Sequence, residues 1–176
     1  MTSLVSVCLV VVISVAVSEC LEWNNNFQYV QNFHCPSDLS FISHFESEFN
    51  DWYDDRRFRL ACKNVPALSG SVNCRWSGYV NNLHRPVHYI CPNQGYINGM
   101  YSNYYSWFYD RTFKFRCCSP PAGLKLQNCY WTSYLNNPMG YINYKIPDGY
   151  VIRGVNSNFQ AYYDDRKFKF QICQSV

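Results

Sequence analysis

The sequence predicts an all-β fold built from three copies of a unit of roughly 55 residues and stapled by disulfide bonds. Three observations point to it. The dipeptide Asp-Arg recurs at even intervals, each copy leads into an apolar/basic alternation typical of a half-buried strand, and the chain contains 10 cysteines. We expect three small antiparallel sheets in a pseudo-threefold arrangement, either β-prism-like or trefoil-like.

The N-terminus carries an apolar, uncharged run at residues 4–17, which is shorter than the roughly 20 residues that a membrane-spanning helix needs. Small residues close the run at Ala16 and Ser18, as is typical of a signal peptide. We predict a signal peptide at 1–18 and a secreted chain at 19–176 without a membrane span. Its three repeats are predicted at about 19–64, 65–119 and 120–176.

The repeat is anchored on three dipeptides: Asp55-Arg56, Asp110-Arg111 and Asp165-Arg166. The segments read DRRFRLAC, DRTFKFRCC and DRKFKFQIC, so each dipeptide begins a predicted strand that ends at cysteine. Aromatic residues precede each dipeptide. A further predicted strand at residues 150–154 ends at a glycine turn.

The cysteines that follow the signal peptide are expected to form disulfides, because such density is typical of a secreted chain. Cys35 and Cys62 are as far apart as Cys91 and Cys118 and hold the same place in their units. The spacing therefore predicts four bridges: Cys35–Cys62, Cys91–Cys118, Cys74–Cys117 and Cys129–Cys173. Cys20 is left over, and we expect it to be unpaired or to link two chains into a homodimer. The spacings do not supply the close pairs of a zinc site.

The threefold DR-x-F-[KR] motif, the cysteines that close each copy, the adjacent Cys117-Cys118 pair and the 16 tyrosines resemble the dermatopontin family, in particular its invertebrate members. The chain departs from the family where Phe58, Phe113 and Phe168 stand in place of a common tryptophan. The resemblance implies a secreted, non-catalytic extracellular matrix protein that binds proteoglycan or glycosaminoglycan, collagen and cell surfaces. The alternative is a lectin or haemagglutinin of invertebrate defence, or a shell or body-wall matrix component.

Two sets of residues are candidates for ligand contact. Basic strand residues could bind a sulfated polymer on one solvent face, because guanidinium groups pair with sulfate as they do with phosphate; they are Arg57, Arg59, Lys114, Arg116, Lys167 and Lys169. Trp52, Trp107 and Tyr162 could stack on sugar rings.

Each set also has a structural interpretation. The aspartate and arginine of the motif could pair with each other within or between units, and the aromatic residues could fill the core. Separate aromatic and polar pockets, one in each unit, would favour a lectin. A continuous basic face would favour a linker of sulfated polymers.

Catalysis has little support in the sequence. His84 and His88 have helical spacing, but Pro86 lies between them and would break a helix. The motifs GxSxG, HExxH and the P-loop are absent from the sequence. A net charge of +3 does not indicate a nucleic-acid partner. We predict no enzymatic activity, no cofactor and no metal site.

Overall fold

The computed structural model describes residues 22–64 and 72–176, where every regular element is a β-strand. The predicted all-β class is confirmed. The predicted signal peptide and Cys20 lie outside the described residues and stay predictions. Within the described ranges, no helix is long and apolar enough to cross a membrane.

The described residues form eleven strands in chain order. They are β1 (Gln31–His34), β2 (Ser40–Asn50), β3 (Asp55–Asn64), β4 (Cys74–Trp76), β5 (Val87–Ile90), β6 (Tyr96–Tyr105), β7 (Asp110–Cys118), β8 (Leu126–Trp131), β9 (Ile142–Lys145), β10 (Tyr150–Gln160) and β11 (Asp165–Ser175).

Three antiparallel sheets are each centred on a long hairpin, formed by β2–β3, β6–β7 or β10–β11. Their strand orders are β3-β2-β9, β1-β6-β7-β4 and β5-β10-β11-β8. The short strand before each hairpin pairs with a different hairpin: β1 pairs with β6, β5 with β10, and β9 returns to β2. The chain therefore links its three sheets in a closed cycle of borrowed strands.

The three hairpins are interrupted at equivalent places. Their registers shift between Ile42 and His44, between Ile97 and Gly99, and between Ile152 and Gly154. A bulge bends a strand without ending its ladder, which is why β10 continues to Gln160 although the sequence predicted its end at residue 154. A Cβ atom at Gly154 would lie 3.0 Å from the Tyr89 carbonyl oxygen of the neighbouring strand.

The centre of the core is formed by Phe58, Phe113 and Phe168, from β3, β7 and β11, each at most 1% exposed. Their ring centroids lie 6.4, 6.3 and 5.9 Å apart, and all three pairs meet edge to face. Aromatic pairs prefer this geometry because the positive ring edge meets the negative face. The phenylalanines that distinguish this chain from its predicted family are therefore core residues.

Four disulfides join the described cysteines: Cys35–Cys62, Cys74–Cys118, Cys91–Cys117 and Cys129–Cys173. The first and last coincide with predicted pairs. The predicted pairs Cys74–Cys117 and Cys91–Cys118 are wrong, since the two adjacent cysteines exchange partners. Aligned on the Asp-Arg motif, the counterpart of Cys62 is Cys117, and the prediction matched Cys62 with the next residue instead.

The exchange has a simple geometric reason. Neighbouring residues of a strand point to opposite faces of the sheet. Cys117 faces the main core, which contains Cys91, whereas Cys118 lies opposite Cys74 in a second apolar cluster. In the predicted third repeat, Ile146 and Ile172 stand at the positions of Cys91 and Cys117, and both are buried.

Candidate functional site

The Asp-Arg motifs form a closed ring of buried ion pairs between the three hairpins. Arg56 pairs with Asp165, Arg111 with Asp55 and Arg166 with Asp110, and the first oxygen of each pair lies 2.5 or 2.6 Å from the arginine Nε. Each Nη2 donates to the second carboxylate oxygen, so every pair is bidentate. All six residues are at most 4% exposed.

The backbone completes this ring. The amides of Gln28, His84 and Met139 donate to Asp55, Asp110 and Asp165, at 2.6 or 2.7 Å. These three donors have φ values of 65°, 59° and 62°, so the chain adopts a left-handed turn wherever it presents an amide to the ring. The geometry supports the structural interpretation of the motif, because each buried carboxylate accepts two hydrogen bonds from an arginine of another hairpin.

The basic candidates divide among the three sheets, two in each. In the β2–β3 sheet, Arg57 pairs with Glu48 at 2.6 Å and Arg59 pairs with Glu46 at 2.5 Å. In the β6–β7 sheet, Arg116 pairs with Asp38 at 2.8 Å. The positive charge of these three arginines is therefore largely compensated.

The three lysines have different surroundings. The Lys114 Nζ lies 4.3 Å from the centre of the Tyr79 ring and 5.2 Å from that of Tyr101, a group termed the β7 cluster. Lys167 lies 4.2 Å from the Tyr134 ring, and Lys169 lies near Tyr134 and Trp131, forming the β11 cluster. Among the described residues, no carboxylate forms an ion pair with these lysines.

At the position of Arg59 in each hairpin, the cross-strand neighbour decides whether the cation is compensated. Arg59 lies opposite Glu46, whereas the equivalent residues Lys114 and Lys169 lie opposite Tyr101 and Asn156. Directly opposed side chains are close enough to interact, so a carboxylate there neutralises the cation and a tyrosine or asparagine does not. The β7 and β11 clusters are consequently positive, aromatic and rich in hydrogen-bonding groups.

Sequence reasoning missed the aromatic members of these clusters, although a signal was present. The segments CRWSGYVNN and CYWTSYLNN repeat one another, with Tyr79 and Tyr134 at equivalent places. The asparagines that follow hold the segments in position: the Asn81 and Asn136 side chains each accept a 2.9 Å hydrogen bond from the amide of a core phenylalanine, Phe113 or Phe168. The tyrosines are thereby held over the lysines.

Phenol groups gather around Lys114. Burial is the main cause that raises the pKa of Tyr79, and neighbouring Tyr101 and Tyr105 raise it further. Hydrogen bonding with Asn103, then with Thr112, lowers the pKa of Tyr105. The β7 cluster therefore offers several polar oxygens beside one ammonium group, a combination suited to hydroxyl and sulfate groups.

A groove of about 460 Å³ lies beside Cys117 and Cys118, which form the disulfides with Cys91 and Cys74. Trp76 and Tyr89 supply aromatic surface, and the polar residues that line it include Asn73, Arg75 and Asn93. Its size is that of a small-molecule site, and its mixture of aromatic and polar groups suits a sugar ring.

The aromatic candidates lie at the tips of the three hairpins. Trp52, Trp107 and Tyr162 are 87%, 91% and 89% exposed. They do not fill the core, and they lie in turns away from the strand residues that carry the lysine clusters. The structure therefore separates the aromatic candidates from the basic ones.

Comparisons with known proteins agree on one family. The family model described as Dermatopontin matches residues 25–176. The chain is 29% identical to the hemagglutinin/amebocyte aggregation factor of Limulus polyphemus, over 86% of this chain and 87% of that protein. It is 27% identical to dermatopontin of Biomphalaria glabrata, over 81% and 93%. It is 28% identical to Millepora cytotoxin-1 of Millepora dichotoma, over 85% and 65%. No solved structure matches the chain.

Proposed function

The chain belongs to the dermatopontin family, and from this premise we propose that it is a secreted, non-catalytic adhesion protein that binds sulfated polysaccharide through the β7 and β11 clusters. One observation carries the proposal. Lys114, Lys167 and Lys169 lie on tyrosine rings and form no ion pair with a carboxylate of residues 22–64 or 72–176, while the equivalent arginines of the first sheet are neutralised. A sulfated chain supplies the missing anionic partner.

The names of the relatives support adhesion. One is a hemagglutinin and aggregation factor and another is a dermatopontin, and both are similar to this chain over more than four fifths of its length. Aggregating cells or linking polymers requires at least two sites on one molecule. Two clusters on different sheets meet this requirement, and several weak sites together give avidity. Collagen binding and a homodimer linked through Cys20 stay predictions.

The experiment is chromatography of the purified, oxidised protein on immobilised heparin across a salt gradient. We expect retention that weakens steeply with salt, because screening shortens the reach of surface charges from about 10 Å at 0.1 M to about 3 Å at 1 M salt. The variants Lys114→Ala and Lys167→Ala/Lys169→Ala should each bind heparin about fivefold more weakly per lysine. Lys145→Ala is the matched control, since this lysine is exposed on β9.

The first sheet supplies the converse variant. Glu48→Gln removes the partner of Arg57, which already lies over Trp23 at 4.3 Å and Phe27 at 5.0 Å. We expect this substitution to create a third cation and aromatic site and to raise the salt concentration at which the protein leaves heparin. Unchanged elution of both Lys114→Ala and Lys167→Ala/Lys169→Ala would contradict the proposal.

A neutral-sugar lectin is the second candidate, favoured by the groove that Trp76 and Tyr89 line. Binding there would rest on stacking and hydrogen bonds, so it should resist salt. A neutral glycan array probed with the protein and with Trp76→Ala tests it. Salt-resistant binding that is lost in Trp76→Ala and kept in Lys114→Ala would favour the lectin over the polyanion binder.

A further inference from the structure

The three hairpin turns form one end of the molecule, termed the aromatic pole, at residues 51–54, 106–109 and 161–164. Asp54, Tyr109 and Asp164, the last residue of each turn, line a single cavity above the central phenylalanines and the Asp-Arg ring. The Tyr104 hydroxyl also donates to the Tyr53 carbonyl oxygen at 3.1 Å, which ties the second hairpin to the first turn. The three tips therefore present one surface.

The composition of the aromatic pole is unusual for a protein surface. The turns read DWYD, SWFY and AYYD, so they contain aromatic residues, three aspartates and no lysine or arginine. Trp52, Trp107 and Tyr162 are each close to 90% exposed, and Tyr53, Phe108 and Tyr163 are at least 40% exposed. A contiguous exposed aromatic patch of this kind marks an interaction site.

The shape of the aromatic pole argues against a small ligand. The cavity between the turns measures about 20 Å³, which is room for about one water molecule. The outermost rings project from the turns instead of lining this space, since they are almost fully exposed. The pole therefore suits an extended surface into which separate rings can insert.

We propose that the aromatic pole docks on the surface of a membrane rich in choline phospholipids. Tryptophan and tyrosine are favoured at membrane–water interfaces, because one part of the side chain is apolar and the other is polar. Quaternary ammonium groups, which choline headgroups carry, are attracted to aromatic faces. Asp51, Asp54 and Asp164 add carboxylates that complement this cation and repel anionic lipids.

The carboxylates of the pole repel one another, and a cation between them would relieve this repulsion. Burial chiefly raises the pKa of Asp54, and repulsion from Asp164 and Asp51 raises it further. A basic protein is a weaker match, because a stable protein interface buries about 800 Å² on each partner in closely packed contact. Three projecting tips around a narrow gap do not offer such a surface.

The test is flotation of the full, oxidised protein with vesicles of phosphatidylcholine or of phosphatidylglycerol at physiological salt. We expect binding to phosphatidylcholine by the unaltered protein and by Lys114→Ala/Lys167→Ala/Lys169→Ala, and little binding of that lysine variant to phosphatidylglycerol. The variant Trp52→Ala/Trp107→Ala/Tyr162→Ala should bind phosphatidylcholine at least roughly tenfold more weakly, since three ring contacts are lost. The control is Tyr130→Ala, which removes an exposed aromatic ring from β8 and should bind like the unaltered protein.

A second variant separates charge from ring insertion. Asp54→Asn/Asp164→Asn should weaken binding to phosphatidylcholine and gain binding to phosphatidylglycerol. Heparin elution of the tip variant should stay unchanged, which shows that it is folded and keeps this test independent of the lysine clusters. No flotation with phosphatidylcholine, or flotation that survives the triple substitution, overturns the proposal. Equal or better binding to phosphatidylglycerol by Lys114→Ala/Lys167→Ala/Lys169→Ala, which lacks the lysines of the β7 and β11 clusters, overturns it as well.

Discussion

Six buried charges lie near the centre of this molecule, and their geometry explains how the fold tolerates them. Removing a carboxylate or a guanidinium from water costs roughly several kcal/mol for each ion. Each aspartate recovers that cost from a bidentate arginine and a backbone amide, as for Asp110 with Arg166 and His84. The ring therefore depends on complete pairing, since one missing partner leaves a buried charge uncompensated.

The substitution Asp110→Asn tests this dependence. It keeps the size of the side chain and removes the charge that compensates Arg166, which is 3% exposed. We expect the free energy of unfolding to fall by about 3–5 kcal/mol, measured by urea denaturation with the disulfides intact. Lys63→Ala is the control, because the Lys63–Asp148 pair is exposed and its loss should not change stability measurably. An equally small effect at Asp110 would show that the ring does not stabilise the fold.

Tyr96 predicts a loss of stability in alkali. Burial is the main cause that raises its pKa from 10.0 to about 12, with a further contribution from Asp38. The folded state holds the phenol proton more tightly than the unfolded state, so the stabilisation is complete below pH 10 and is lost as the pH rises towards 12. The midpoint of urea unfolding should fall over this range, and less so in Tyr96→Phe. In the control Tyr130→Phe, which changes an exposed tyrosine, the midpoint should fall as much as in the unaltered protein.

At the scale of elements, the three hairpins are alike, but their cross-links differ. The amides of Cys35, Cys91 and Ile146 each donate a 2.9 Å hydrogen bond to a carbonyl at a hairpin bulge, from Asn98, Arg153 and Ser43. The backbone of Ile146 is thus placed like that of the two cysteines. The predicted third repeat has buried isoleucine at both ends of the bridge that the other two repeats contain.

This equivalence predicts that Ile146→Cys/Ile172→Cys forms a fifth disulfide. The bridge should raise the free energy of unfolding by up to about 3 kcal/mol, because it restricts the unfolded chain. Peptide mapping under non-reducing conditions identifies the bridge, and thermal unfolding measures its effect. The single variant Ile172→Cys controls for the lost isoleucine. Two free thiols in the double variant would show that the predicted third repeat is not equivalent to the other two at the position of this bridge.

The sequence predicted the strands whose pattern is local. The alternation after each Asp-Arg dipeptide identified the second strand of each hairpin, because apolar residues such as Phe58 and Leu60 alternate there with basic ones. The four-residue strands β1, β5 and β9 escaped prediction, since each is too short for a clear period and pairs with a distant hairpin.

The candidate site was less predictable for a related reason. Whether a strand cation is free depends on the residue across the ladder, and the four-residue turn of each hairpin sets that register. Glu46 opposite Arg59 and Tyr101 opposite Lys114 are consequences of this register, which depends on where each turn begins and ends. The partners of Cys117 and Cys118 depend in the same way on which face of β7 each occupies.

At the scale of the whole molecule, three cyclic features hold the sheets together. The borrowed strands, the ring of ion pairs and the three central phenylalanines each join every hairpin to the other two. A hairpin on its own would lose all three kinds of contact at once. The molecule should therefore unfold as one cooperative unit, even though its sequence consists of repeated segments.

The substitution Phe113→Ala tests this cooperativity from the centre of the core. Deleting a buried phenylalanine ring removes its transfer free energy and leaves a cavity, so we expect a loss of about 3–5 kcal/mol. The ring also packs against Phe58 and Phe168, at 6.4 and 5.9 Å. Amide hydrogen exchange should therefore accelerate to a similar degree in β3, β7 and β11, because globally protected amides exchange through the same unfolding reaction. Acceleration confined to β6 and β7 would instead mean that each sheet unfolds independently.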